Sequence, residues 1–385
     1  MDICVLNPFF YPEQGGTENV LLEVYSRLAR KHNITVISGA STGTGGRFRE
    51  YVHGIEVVRL RTRHIHTSAL PMPFLVMYGI KDAIRLARAD LYHINNRYQY
   101  FMGTLHTIRS IGARLALTLH NALPKGIGPF TDAAGSVYDA LMGRRIMHAA
   151  DIITAVSTYT ARSTVPSCDM GKTHVIYNGV DCRRFRKRDK RDRNVKEVMR
   201  AFGINDNGAA NLMSNGRLIP QKGQLYLLRA VGELIRSGVE LNLFILGNGP
   251  MLGRLHREAH AQGIKRFSVF VADMRSVPYC YNAADVFVAP SLYEPASMAL
   301  LEALASGVPA VASRVGGMPE MGGRACLYTM PRSVSGIKKH VEKVLGDASG
   351  AAARAREGRR LMVREHNWDA IARKYEEVFE SAVRR

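Results

Sequence analysis

The sequence predicts an α/β protein of two domains, each built on a mainly parallel sheet. Three observations carry this. The chain has 385 residues, more than one ordinary core holds and the right length for two domains. Short apolar runs alternate with amphipathic helical runs along most of it, at the spacing of βαβ units. Twice, near residues 15 and 220, an apolar run leads into glycine and then a helix start, an arrangement that offers bare N–H groups to phosphate.

Composition narrows the class. With no run of about 20 apolar residues, a transmembrane helix is excluded. The opening Met1-Asp-Ile-Cys-Val-Leu lacks a basic leader and reads as a strand, not a signal peptide. The five cysteines (Cys4, Cys168, Cys182, Cys280, Cys326) are scattered, the pattern of reduced core residues rather than of disulfides or a metal site. A cytoplasmic protein is expected. The net charge of +20 calls for an anionic partner: nucleic acid, an anionic membrane face or a phosphate-rich ligand.

In order, Met1–Leu6 is a strand running into the loop Asn7–Gly16, and Thr17 is placed to cap a helix whose apolar face is Val20, Leu21, Val24 and Leu28. Ile34–Ser38 and Ile55–Leu60 are strands, with a Gly-rich loop over Ser41–Arg49 between them. Phe74–Ala89 reads as a helix, packed on the sheet as a crossover or, given Lys81, Arg85 and Arg88, lying on a membrane. Asp90–Ile94 is a strand, with His93 near its end. Leu115–Asn121 is a strand ending at His120. Asp151–Ser157 is another, followed by a helix that Ser157 or Thr158 caps. Asn178-Gly179 makes a tight turn.

The run Arg183–Lys196 is dense in Arg and Lys and should be exposed. Two readings stand: a solvated connector, or contact with acidic lipid headgroups at about 1 kcal/mol per basic residue. Nucleic acid is disfavoured because the run carries a single aromatic, Phe185, and no nucleic-acid motif lies nearby. A second strand–loop–helix unit follows, from Ala210 to a helix over Gln224–Ser237, and Arg217, Lys222 and Gly223 in its loop suit a diphosphate. Leu241–Leu246, Phe267–Ala272 and Ala284–Ala289 are strands. After the last comes a turn carrying Glu294, then a helix from about Pro295 to Ser306 carrying Glu302, stopped by Gly307. Spacing alone leaves Glu294 as a helix-dipole partner and Glu302 as a solvated residue. The alternative is a pair that brackets a nucleoside and its sugar. The tail Leu361–Arg384 is helical, with Trp368, Ile371, Tyr375 and Phe379 on one face.

The stretch Ser291–Glu320 favours the second reading. Glu294, seven residues, Glu302, then Ala-x-Ala-x-Gly-x-Pro-x-Val-Ala-Ser-x-x-Gly-Gly-x-x-Glu resembles the retaining glycosyltransferases of family 4, which have the GT-B fold: two Rossmann-like domains with parallel sheets facing across a cleft. The likeness recurs in register at Pro12-x-x-Gly15-Gly16-x-Glu, Thr118-x-His120-Asn121, Gly216-Arg217-Leu-x-x-x-Lys222-Gly and Gly247-x-Gly-Pro250.

The resemblance implies roles. Gly15 and Gly16 lie against the donor diphosphate and acceptor, Arg217 and Lys222 hold the leaving diphosphate, and Glu302 holds the ribose hydroxyls. Glu294, Ala296, Ser297 and Met298 serve the sugar. His120 donates to a sugar hydroxyl and, with Glu294, is the catalytic candidate; His93 lines the acceptor side. The loop Asp273–Ser276 lies near the base. No metal and no cofactor beyond the nucleotide-sugar co-substrate are implied. Where the family has Glu-x-Phe-Gly, this chain has Glu294-Pro295-Ala296-Ser297, which alters the pocket beside the sugar.

The expected division is an N-terminal acceptor domain over 1–182, completed by a C-terminal helix at about 365–385, a basic linker over 183–206, and a donor domain over 207–364. The expected reaction moves a hexose from a nucleotide diphosphate sugar to a hydroxyl, on a lipid-linked or glycan acceptor, with peripheral contact to an anionic membrane and no nucleic acid. Two other readings share the fold: a nucleotide-sugar epimerase or phosphorylase, and a non-catalytic basic protein that binds membrane or nucleic acid.

Overall fold

The structure is a computed structural model that describes residues 1–13, 15–39, 48–65, 74–97, 103–122, 129–204 and 208–384. The chain divides into two compact units. One takes the described residues up to 122, then Asp132–Asn178, then those from Trp368 on; the other takes residues 129–131 and Gly179–Asn367.

The first unit is built on β1 (Asp2–Leu6), β2 (Asn33–Gly39), β3 (Phe48–Val52), β4 (Ile55–Leu60), β5 (Thr62–Ile65), β6 (Phe74–Met77), β7 (Leu91–Asn95), β8 (Arg114–Leu119), β9 (Ile152–Ala155) and β10 (Thr173–Val175). Eight of them form one sheet in the order β10-β9-β8-β7-β1-β2-β4-β3, parallel except at β3. Most of the Gly-rich loop expected before β3 lies outside the described residues, as does Gln14 of the Asn7–Gly16 loop. The order reverses between β1 and β7, the switch point where open α/β sheets take ligands.

The expected Phe74–Ala89 helix is two elements. Phe74–Met77 pairs antiparallel with β5, and only Ile80–Ala87 is helical. A strand partner outcompetes helix propensity in a short apolar run.

The second unit is a six-stranded sheet, parallel throughout, of β11 (Ala210–Asn215), β12 (Leu241–Leu246), β13 (Phe267–Phe270), β14 (Val286–Ala289), β15 (Ala310–Ser313) and β16 (Cys326–Thr329). Its order, β13-β12-β11-β14-β15-β16, puts the switch point between β11 and β14. Leu227, Leu228, Val231 and Leu234 of the helix Gln224–Arg236 pack on this sheet with Leu212, Leu243, Ile245 and Val286.

The Arg183–Lys196 run is exposed at Arg183, Arg186, Lys187, Arg191, Arg193 and Lys196, as expected, but it is not a free connector. It belongs to the second unit and is pinned there. Phe185 is buried, Lys190 Nζ lies 2.6 Å from Asp285, and the Arg188 guanidinium covers the Tyr279 ring at 4.7 Å. The helix Arg193–Ala201 buries Val195, Val198 and Met199. Among the cysteines, all free, Cys4, Cys280 and Cys326 are buried, whereas Cys168 is exposed. No described helix is long and apolar enough to cross a membrane.

The helix Ala348–Glu365 ends in the second unit, and Trp368–Arg384 returns to the first. There it lies along the helix Gly16–Leu28, burying Trp368, Ile371, Tyr375 and Phe379. His93 lies under it. Its ring takes Tyr25 on one nitrogen and Thr118 Oγ1 at 2.6 Å on the other, with the Phe379 ring at 5.1 Å. Burial lowers its pKa to about 3. The structure therefore corrects the expectation for this residue: His93 is a neutral core residue, not a wall of an acceptor site.

Phe379→Ala should cost about 3–5 kcal/mol, read as a lower denaturant midpoint for the transition that reports the first unit. A midpoint equal to wild type would contradict this packing.

Candidate active site

In the first unit, the loops at the carboxyl ends of β1 and β8 carry the expected residues, and the end of β7 supplies the asparagines that hold His120. Gly15 is the N-cap of the helix Gly16–Leu28 and makes no side-chain cap. Thr17, expected at the cap, is the second helical residue. The space a Cβ on Gly15 would need is filled by the Glu18 carboxylate, so an acidic side chain of the first turn already lies at the positive end of this helix. The Gly16 surroundings are open.

His120 follows the last residue of β8 and is 9% exposed. Its backbone N–H donates to Asn96 Oδ1 at 3.0 Å, and its Nε2 lies 3.1 Å from Asn95 Oδ1. Burial lowers its pKa to about 4, so the ring is neutral near pH 7. Facing an acceptor, Nε2 carries the proton, and Nδ1 is left to accept.

In the second unit, the loops after β11 and β14 flank the switch point. Leu292 N–H donates to the Gln221 carbonyl at 2.8 Å. Gly223 has φ +68°, and a Cβ there would run into the Pro290 carbonyl oxygen. This close approach sets Lys222 beside Glu294: Nζ and Oε2 form an ion pair in which both side chains are largely buried. Ser291 Oγ donates to the same oxygen at 3.3 Å. Gly316 likewise admits the Glu294 carbonyl where a Cβ would collide, and Gly317 N–H donates to it at 3.1 Å. The Arg217 guanidinium is exposed and makes no hydrogen bond or ion pair among the described residues.

The helix after Glu294 spans Met298–Ala305, three residues later than expected at its start. Pro295 lies in the turn, and Ser297 is the N-cap, accepting from Leu300 N–H at 3.3 Å. This accounts for the departure from the family's glycine: the hydroxyl satisfies a helix N–H that glycine leaves to water. Ala296 and Met298 flank it, each partly exposed.

Glu302, partly exposed, accepts the Tyr281 hydroxyl on Oε2 at 2.7 Å. Burial pushes its carboxyl up to about 7, against the Tyr281 hydrogen bond and the positive charge of Arg184. Arg184, from the basic run, also donates to the Met274 carbonyl in the loop read as lying near the base. Arg184, Tyr281 and Asn215 were all missed in the sequence. Arg184 was hidden in a charge run read as linker.

Two groups of metal-type side chains occur among the described residues, His148/Cys168/Asp169 and His32/Glu376/Glu380, both in the first unit. In each a basic group already holds a carboxylate: Lys172 at 2.9 Å from Asp169, Lys31 at 3.1 Å from Glu376 and Arg384 at 2.8 Å from Glu380.

An open parallel sheet with cations and carboxylates gathered at its switch point is one Rossmann-like half of a GT-B glycosyltransferase. The chain belongs to the family 4, or group 1, glycosyltransferases, and is a nucleotide-sugar-dependent transferase. Residues 14–184 match the family described as Glycosyltransferase Family 4, and residues 209–347 the one described as Glycosyl transferases group 1. The chain is 30% identical to the GDP-mannose-dependent alpha-(1-6)-phosphatidylinositol monomannoside mannosyltransferase of Mycolicibacterium smegmatis, with 93% of each chain covered. It is 24% identical to the 2-deoxystreptamine glucosyltransferase of Streptomyces kanamyceticus, over 80% of this chain and 82% of that one. Among solved structures, Anabaena HepE in complex with UDP and glucose superposes with a TM-score of 0.76 at 18% identity, covering 99% of this chain and 100% of that one.

Hydroxyls donate well to a carboxylate and poorly to a carboxylic acid. If Glu302 takes a ribose, nucleotide affinity should climb as pH rises through about 7 and level off above it. Calorimetric titration of UDP and GDP from about pH 6 to 8 reads this, with Glu302→Gln flattening the step. A step that survives in Glu302→Gln belongs to another group.

Proposed function

We propose that this protein moves a hexosyl group from a nucleotide diphosphate sugar to a hydroxyl with retention of the anomeric configuration. The observation that carries the reading is the buried Lys222–Glu294 pair at the β11/β14 switch point, beside the exposed Arg217. Charge grows on the leaving diphosphate as the glycosidic bond breaks. Arg217, Lys222 and the N-terminus of the helix Gln224–Arg236 meet that charge, so no metal is required. Glu294 takes sugar hydroxyls, with Ala296, Ser297 and Met298 around it. Glu302 takes the ribose. His120 and the Gly15-Gly16 loop serve the sugar and diphosphate from the first unit. The acceptor oxygen attacks on the face the leaving group departs from, and its proton passes to the departing phosphate oxygen, so no protein base is assigned.

For the acceptor we favour a lipid-linked glycan in cell-envelope assembly, with the protein on the inner face of the cell membrane. The Mycolicibacterium smegmatis relative is named for GDP-mannose and phosphatidylinositol monomannoside. The charge of +20 suits an anionic surface. The first unit also exposes Val137 and Leu141, each 58%, and Met142, next to exposed Arg144 and Arg145, an apolar patch with a basic border.

Lys222→Ala should lower transfer by roughly 10²–10³-fold in kcat while leaving vesicle binding in place; wild-type turnover in this variant would remove Lys222 from the reaction. Proton NMR of the product's anomeric centre tests retention, and an inverted product refutes it. Leu141→Asp should weaken sedimentation with phosphatidylglycerol vesicles, as should raised salt. Binding unchanged by both would dismiss this patch as the contact.

A further inference from the structure

We propose that Tyr281 is a positioning residue for nucleotide recognition, fixing one oxygen of Glu302 so that the other meets the ribose hydroxyls. The proposal rests on the assignment of Glu302 to the ribose made above.

Tyr281 lies in the helix Val277–Ala283 and is fully buried. Its ring is held by the rings of Phe185 and Phe287, with centroids at 5.9 Å and 5.7 Å. Phenylalanine would fill that space equally well, so the hydroxyl needs a separate explanation. A phenol has one proton and accepts as well. Asn215 Nδ2 donates to the Tyr281 oxygen at 2.8 Å, and the Tyr281 proton goes to Glu302 Oε2 at 2.7 Å. Asn215 ends β11, the strand that leads into the Arg217–Lys222 loop. The relay thus ties the strand at the switch point to the helix bearing Glu302.

The terminal torsion of a glutamate is broad and roughly two-fold, so packing alone does not set which oxygen faces where. The Tyr281 bond sets it. Among the described residues Oε1 takes no protein hydrogen bond, and Glu302 is partly exposed whereas Tyr281 is not. The charged group facing this carboxylate is Arg184, on the basic run, and the Cys280 thiol neighbours the Tyr281 ring. The relay therefore delivers a carboxylate with one oxygen committed inward and one presented outward.

The test is a ratio that simple destabilisation would not move. ADP, GDP and UDP, each with its 2′,3′-dideoxy counterpart, are titrated calorimetrically into wild type, Tyr281→Phe and Glu302→Gln. Wild type should prefer the ribonucleotide by roughly ten- to a hundredfold, the worth of a hydrogen bond to a charged group. Tyr281→Phe should lose about tenfold of that preference while binding the dideoxy nucleotide as wild type does. The pH step in ribonucleotide affinity should also move upward, because the hydrogen bond that favours the ionised carboxylate is gone. A Tyr281→Phe protein with the wild-type ratio overturns the relay alone. A wild type with no preference overturns the ribose role of Glu302 and the relay with it. Should Tyr281→Phe fail to fold, Asn215→Ala reads the same ratio, and an unchanged ratio there likewise overturns the relay.

Discussion

Two backbone loops of the second unit interlock, and the placing of Lys222 beside Glu294 depends on that interlocking. The Gln221 carbonyl takes the Leu292 N–H, and the Pro290 carbonyl occupies the space a side chain on Gly223 would need. Lys222 and Glu294 sit within these loops, so main-chain contacts place them, not their own packing. Backbone-fixed groups hold charge without reorganising as a reaction proceeds, the condition for strong electrostatic stabilisation.

The pair also explains how the Glu294 carboxylate can be buried. An isolated charge at 7% exposure would be costly; with the Lys222 ammonium against it, Glu294 is compensated in this structure. Glu302 is held differently. It faces a hydroxyl and a more distant arginine, and burial leaves it titrating near neutrality. Two acidic residues eight positions apart thus have different partners, Glu294 the Lys222 ammonium and Glu302 the Tyr281 hydroxyl.

Much of this was legible in the sequence where local pattern and final environment agree. Ile55–Leu60 and Leu241–Leu246 are strands with the bounds their apolar runs suggest. Ser157 caps its helix by accepting from Thr160 N–H. Local pattern misled where a tertiary partner decides. Phe74–Met77 is a strand because β5 is beside it. His93 shares with His120 a place near a strand end, yet it lies two residues before the end of its strand, under the final helix, whereas His120 lies one residue past the end of its own. The charge of Arg183–Lys196 hid Val195, Val198 and Met199, whose helical spacing was there to be found. Tyr281 and Asn215 left no local signal, because a buried tyrosine looks the same in sequence whether or not its hydroxyl has a task.

The return of Trp368–Arg384 to the first unit bears on how the chain is made. A ribosome completes the β1–β10 sheet and then the whole second unit before the helix that covers His93 and Tyr25 emerges. During that interval an apolar face of the earlier unit stays wet, a time when association with other nascent chains is most costly. Cutting between the two units at residue 180 would not yield two self-sufficient fragments, because the N-terminal piece would lack its last helix.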